Sequence, residues 1–165
     1  IWSRDLLRAA DGLCLQADGF TGDEILSQRL QDVARLYGKT FETQDLLNEW
    51  NIGHRSNDLL TTLSKGQKRK VAFLSSIVPA LIQNKPTLIL LDEPTESLDL
   101  NTKEYFYHFL LNNEFLNESK ICIYASHRID ECKKLASKCL LLQNNSYTLF
   151  ERSDFSDIEF KRLMK

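Results

Sequence analysis

Apolar and polar positions follow distinct rhythms along the chain, and each rhythm predicts an element. Leu88 to Leu91, after Thr87, are apolar at every position, the pattern of a strand buried on both faces of a parallel sheet. That run stops at Asp92-Glu93-Pro94. Leu26, Leu30, Val33 and Tyr37 recur instead at helical spacing ahead of Gly38, and Thr21 with Glu24 reads as a capping box, so an amphipathic helix is expected from Thr21. A second helix is expected over Glu42–Trp50, with Asn51–Asn57 a polar loop. Leu63-Ser64-Lys65-Gly66-Gln67 leads into a helix from about Gln67 to Ile82, in which Pro79 should kink or end the regular part. Leu13-Cys14-Leu15 reads as a short strand ending at Gln16 before a turn at Ala17-Asp18-Gly19.

Beyond Asp92 the pattern predicts a helix from about Thr102 to Leu111, a strand over Ile121–Ala125 and a helix over Ile129–Ala136. Short strands near Cys139–Leu142 and Tyr147–Phe150 follow, then a terminal helix over residues 151–165. The alternation of strand and helix predicts a doubly wound α/β architecture.

A chain of 165 residues has room for one domain and buries roughly 70% of its unfolded surface at this size. Hydrophobic content of 42% and charged content of 27% describe a globular chain and argue against a disordered or fibrous one. The net charge of −2 is too balanced for a surface that neutralises many phosphates, so no nucleic acid is expected as partner. The longest apolar stretch, Val71 to Ile82, is interrupted by Ser75, Ser76 and Pro79 and is too short to cross a bilayer. Cys14, Cys122, Cys132 and Cys139 form no CxxC pair, which reads as reduced thiols of an intracellular compartment, with a Cys132–Cys139 disulfide left open. The chain opens on Ile1, as a processed, truncated or partial chain would.

Three constellations carry candidate chemistry. Asp92 and Glu93 end a buried strand, where ligands bind open α/β sheets. Side chains alternate along a strand, so one carboxylate can hold Mg²⁺ through water while the other deprotonates an attacking water. A charged strand end facing solvent is the plain alternative. Ser64 and Gly66 at a helix start leave backbone N–H groups open to an anion, which the helix dipole stabilises by up to about 2 kcal/mol. There the alternative is an ordinary N-cap, with Lys65, Lys68, Arg69 and Lys70 as solvated charges. Ser126-His127 ends a third strand, and a histidine there can hydrogen-bond a terminal phosphate, although a surface role is common. Gln16, ending another short strand, is a fourth candidate ligand.

Together these residues resemble the nucleotide-binding domain of ATP-binding-cassette (ABC) proteins. Leu63 to Gln67 is similar to the signature motif, Leu88 to Glu93 to the Walker B strand, Ser97-Leu98-Asp99 to the D-loop, His127 to the switch histidine and Gln16 to the Q-loop glutamine. Cys14-Leu15-Gln16, Ala34-Arg35-Leu36-Tyr37-Gly38 and Ser126 to Cys132 look like the export-type cassettes of sub-family A lipid transporters and of cytochrome c maturation haem exporters. The resemblance implies an α/β fold: a partial RecA-like ATPase core with an inserted small α-helical subdomain over about 20–83, the remaining RecA-like lobe over about 86–150, and a terminal segment over 151–165.

It also implies a catalytic Glu93 and His127, an Asp92 linked to Mg²⁺, a Gln16 sensing the metal, and Ser64, Gly66 and Gln67 contacting ATP held by the opposite subunit, with Ser97 and Asp99 in the D-loop. The implied partners are a second ABC ATPase subunit, as homo- or heterodimer, and a transmembrane permease that holds the chain on the cytoplasmic or mitochondrial matrix face of a membrane. Lys65 stands where a second glycine is common, and the stretch from Ser64 to Asp92 is longer than the family's usual spacing. No Gly-x-x-x-x-Gly-Lys-Ser/Thr phosphate loop, the Walker A motif, occurs in the sequence. A fragment, a split gene whose other chain supplies the loop, and a degenerate subunit all account for that. The expected function is ATP hydrolysis driving export across a membrane. The alternatives are a non-transport ABC lobe of chromosome-maintenance type and an adaptor that has lost turnover.

Overall fold

The computed structural model describes residues 10–17, 20–112, 115, 119–143 and 146–156. Asp18 and Gly19 of the expected turn, and residues 157–165 of the expected terminal helix, lie outside them. The chain divides into two compact units, Ile1–Ala125 and Ser126–Lys165.

In the first unit, three parallel strands form a sheet in the order β1 (Gly12–Cys14), β2 (Thr87–Asp92), β3 (Lys120–Ala125). The strand that is apolar throughout is the central one: Gly12 pairs with Ile89 on one side and Ile89 with Cys122 on the other. Ile89, Leu90 and Leu91 are accordingly inaccessible to solvent. β1 stops at Cys14, one residue short of the expected strand, and Leu15 is already exposed.

The helix expected from Thr21 begins later, as α1 (Leu26–Leu36). Glu24 does reach back to the Thr21 amide, at 2.9 Å, but this closes a separate turn. Ile25 is extended and bridges Leu59, and the Leu26 and Ser27 amides are capped by the carbonyls of Asp58 and Ser56. A tertiary contact replaces the local cap. Leu26, Leu30 and Ala34 form the buried stripe, with Val33 partly exposed. α2 (Gln44–Glu49) is shorter than expected, and a 3₁₀ turn (Gly53–Arg55) occupies the expected loop.

α3 (Lys65–Ile82) runs through Pro79 to its full expected end. Every residue from Val71 to Ala80 is buried, so a lost interior hydrogen bond, about 3 kcal/mol for an exposed helix, is outweighed by packing on both sides. Trp50 packs on Phe73 with centroids 5.1 Å apart, and Phe73 on Phe106 at 4.6 Å, joining α3 to α4 (Leu100–Leu111).

The second unit holds α5 (Ile129–Leu135) and the antiparallel hairpin of β4 (Lys138–Gln143) and β5 (Ser146–Glu151), followed by a 3₁₀ turn (Arg152–Ser156). Cys139, Phe150 and Phe155 form its core, with Cys132 and Leu141 packed against them. All four cysteines are thiols. Burial, and then the neighbouring Cys139, pushes the Cys132 thiol up to about 12.

Candidate nucleotide site

The ends of β1 and β2 are brought level by their parallel pairing, with Cys14 opposite Leu91. Gln16 follows β1 and is exposed; Asp92 ends β2 and Glu93 follows it, both half-buried. Glu93 takes a left-handed backbone at φ 45°, a conformation uncommon for a side chain of its size. Its amide donates to the Ala125 carbonyl at 3.0 Å, and its carbonyl accepts from the Glu96 amide at 3.1 Å. The strand is thus turned sharply at the residue that carries the candidate base.

Ser64 caps α3 in a complete capping box: its hydroxyl oxygen accepts from the Gln67 amide at 3.2 Å, and the Gln67 side-chain oxygen accepts from the Ser64 amide at 2.9 Å. Among the described residues no acceptor meets the amides of Lys65 and Gly66. The local cap and an open anion-facing edge therefore coexist in one turn. Gly66 has a reason inside the chain as well. A Cβ there would stand 3.0 Å from the Ser97 carbonyl oxygen, so the start of α3 lies directly against the backbone at Ser97. Ser97 itself has φ 66°.

Gln16, Lys65, Arg69, Glu96 and Ser97 line one small surface depression. The Gln16 side-chain amide donates to Glu96 at 3.0 Å, and Lys65 approaches the other Glu96 oxygen at 3.7 Å. The Gln16 hydrogen bond, and then the Lys65 ammonium, hold the Glu96 carboxyl below its ordinary range. Asp99 caps α4, accepting from the Thr102 amide at 2.9 Å and the Thr102 hydroxyl at 2.8 Å, and these bonds hold its carboxyl low.

The structure therefore gathers Gln16, Ser64, Gly66, Gln67, Asp92, Glu93, Ser97 and Asp99 in the first unit. His127 belongs to the second, where it is exposed ahead of α5. There Ser126 donates to the buried Glu131 at 2.8 Å and accepts from the Arg128 amide at 3.1 Å, fixing the backbone on both sides of the imidazole.

Two residues of the depression escaped the sequence reading. Glu96 stands one residue ahead of Ser97-Leu98-Asp99, without a motif role. Arg69 belongs to a basic run expected to be solvated, yet it is 3% exposed and donates to five backbone carbonyls. Its spacing held the signal: Arg69, Phe73, Ser76 and Ala80 fall on one helical face, and all four are buried. Among the described residues no three His, Cys, Asp or Glu side chains could hold a metal ion unaided. The donors at the strand ends fit an ion that arrives with its nucleotide and takes one carboxylate from the protein.

The fold is that of a nucleotide-binding α/β domain. A solved ATP-binding subunit of an ABC transporter superposes on 98% of this chain and 70% of its own, with a TM-score of 0.71 at 17% identity. The ABC transporter family model matches residues 4–96, and the chain belongs to that family. ABC transporter A family member 4 of Dictyostelium discoideum is 30% identical over 92% of this chain and 10% of its own. The human retinal-specific phospholipid-transporting ATPase ABCA4 is 27% identical over 82% of this chain and 6% of its own. The chain thus spans a small part of the curated relatives it matches. Their similarity extends beyond residue 96.

Proposed function

We propose that the chain supplies the hydrolytic half of an ATP-binding site in a membrane transporter. ATP closes two cassettes face to face, Glu93 activates the attacking water, and reopening after hydrolysis drives export through a permease. The observation that carries this reading is the turn at Glu93, which follows a doubly buried strand and sits at the sheet edge where β1 and β2 end, with Asp92 before it and Gln16 just beyond β1. Asp92 would hold Mg²⁺ through water, and the ion would draw charge from the phosphates. Gln16 would join it, His127 would contact the terminal phosphate, and Ser64, Gly66 and Gln67 would face ATP on the partner subunit. Residues about 20–83 would form the helical subdomain and 86–150 the remainder of the RecA-like lobe.

The phosphate loop would come from residues outside these 165, on the same or another polypeptide. Among the described residues no helix is long and apolar enough to cross a membrane, so membrane attachment would pass through the permease. The transport role is favoured over a chromosome-maintenance one because the relatives named above carry transporter names. The kinship with sub-family A supports a lipid-like cargo.

The test is ATP turnover by the assembly that contains a phosphate loop. Glu93→Gln should lower kcat about 10²- to 10⁴-fold, as expected on losing a general base. A rate within about tenfold of the parent would remove Glu93 from that role.

A further inference from the structure

The Arg69 side chain has five N–H donors, and each meets a different backbone carbonyl. Nε donates to Pro94 at 3.2 Å; one terminal nitrogen donates to Leu15 and to Gln16, the latter at 3.3 Å; the other donates to Asp92 and Glu93. The acceptors lie just beyond β1 on one side and across the end of β2 on the other. The guanidinium itself comes from the second turn of α3, on the helix whose first turn bears Ser64 and Gly66.

A buried cation is stabilised only when its donors are satisfied, and here carbonyl dipoles from two strand ends do this together. Neither strand end can move away from the other, or from α3, without leaving donors of a largely buried guanidinium unpaired. The Glu93 carbonyl is one of the five, so the left-handed turn at Glu93 is held from the carbonyl side by Arg69 and from the amide side by Ala125.

We propose that Arg69 is a positioning residue: it clamps the backbone of Gln16 and Glu93 to the second turn of α3, and so fixes the left-handed turn from which the Glu93 side chain leaves the end of β2. Its bearing on catalysis rests on the reading of Glu93 given under Proposed function; the clamp itself does not. Lysine cannot replace arginine here, because three donors on a single nitrogen cannot reach carbonyls spread over two strand ends.

The test has a kinetic arm and a structural arm. In the assembled complex, Arg69→Lys and Arg69→Gln should each lower kcat about 10- to 100-fold while KM for ATP shifts less than about threefold, and neither should slow a Glu93→Gln enzyme by more than about twofold. Arg69 variants within about twofold of the parent, beside a Glu93→Gln that loses a hundredfold, would overturn the catalytic coupling. In the full chain without nucleotide, hydrogen exchange in Arg69→Lys should quicken together over residues 12–17 and 92–97, and loosening of one stretch alone would overturn the clamp. If Glu93→Gln leaves turnover nearly intact, the proposed function fails and the exchange arm still decides the clamp. If no Arg69 variant folds, NMR of the parent chain decides it: the Arg69 Nε–H should give a resolved, slowly exchanging signal, and rapid exchange with water would overturn the proposal.

Discussion

Ser64 shows how one residue can serve local folding and recognition at once. Its side chain closes the capping box with Gln67, so it is accounted for structurally before any ligand is considered. Its hydroxyl hydrogen, and the open amides of Lys65 and Gly66, remain available to an anion. The two roles separate by substitution. Ser64→Ala should lower the unfolding free energy by about 1 kcal/mol, and Ser64→Asp, which also caps, should restore most of it in a urea titration. Ser64→Asp should nevertheless weaken ATP-dependent association with a partner cassette, because it sets a negative charge against a triphosphate. Equal association of the Asp variant and the parent would leave Ser64 a cap alone. At this scale the sequence was legible where a motif combined with a strand or helix end, as at Asp92, Glu93 and Ser64. It was misleading at Arg69, because residues 68–70 form a basic run and only helical phase separates the buried member from its neighbours.

Among the described strands, β1 is the shortest and the most dependent on its surroundings. Three residues cannot hold a strand by their own propensity; β1 exists because it pairs with β2 and lies against α3. Gly12 permits that contact, since a Cβ there would stand 1.8 Å from the Ser76 carbonyl oxygen on the helix backbone. Neither backbone can yield as a flexible side chain would. Gly12→Ala should therefore destabilise the chain by about 1–3 kcal/mol in denaturant unfolding, the range of an overpacked core. Unchanged stability would show that β1 and α3 can separate at little cost, and would weaken the placement of Gln16 with it. The same dependence explains which boundaries were legible. β2, β3 and α4 are written in runs of apolar residues or a cap, and their ends lie within two residues of expectation. The start of α1 is set by carbonyls of Ser56 and Asp58, about thirty residues distant in the chain, and no local pattern announces such a partner.

For the whole molecule, the absence of a phosphate loop from these 165 residues bears on how the proposed hydrolytic residues would engage ATP. Most of the affinity of such sites comes from backbone N–H groups and a lysine that surround the β- and γ-phosphates. On the function proposed above, the residues present here would meet the nucleotide at its metal, at its attacking water and across a subunit boundary, none of which encloses it. Affinity of the chain alone should then be millimolar at best. At 1 mM Mg-ATP, RT ln(1 + [L]/Kd) contributes no more than about 0.4 kcal/mol, and Tm should rise by only about a degree. Once a phosphate loop completes the site and affinity becomes micromolar, the same ATP concentration supplies about 4 kcal/mol, a shift of roughly 8 °C or more. Thermal unfolding of the chain alone, and of the assembly purified with it, each with and without 1 mM Mg-ATP, reads this difference directly. A rise of more than about 5 °C in the isolated chain would mean that a phosphate cradle is built from residues other than a glycine-rich loop. No shift in either sample would instead favour the adaptor alternative, in which the strand-end carboxylates persist because they hold the sheet edge in place and not because they meet ATP.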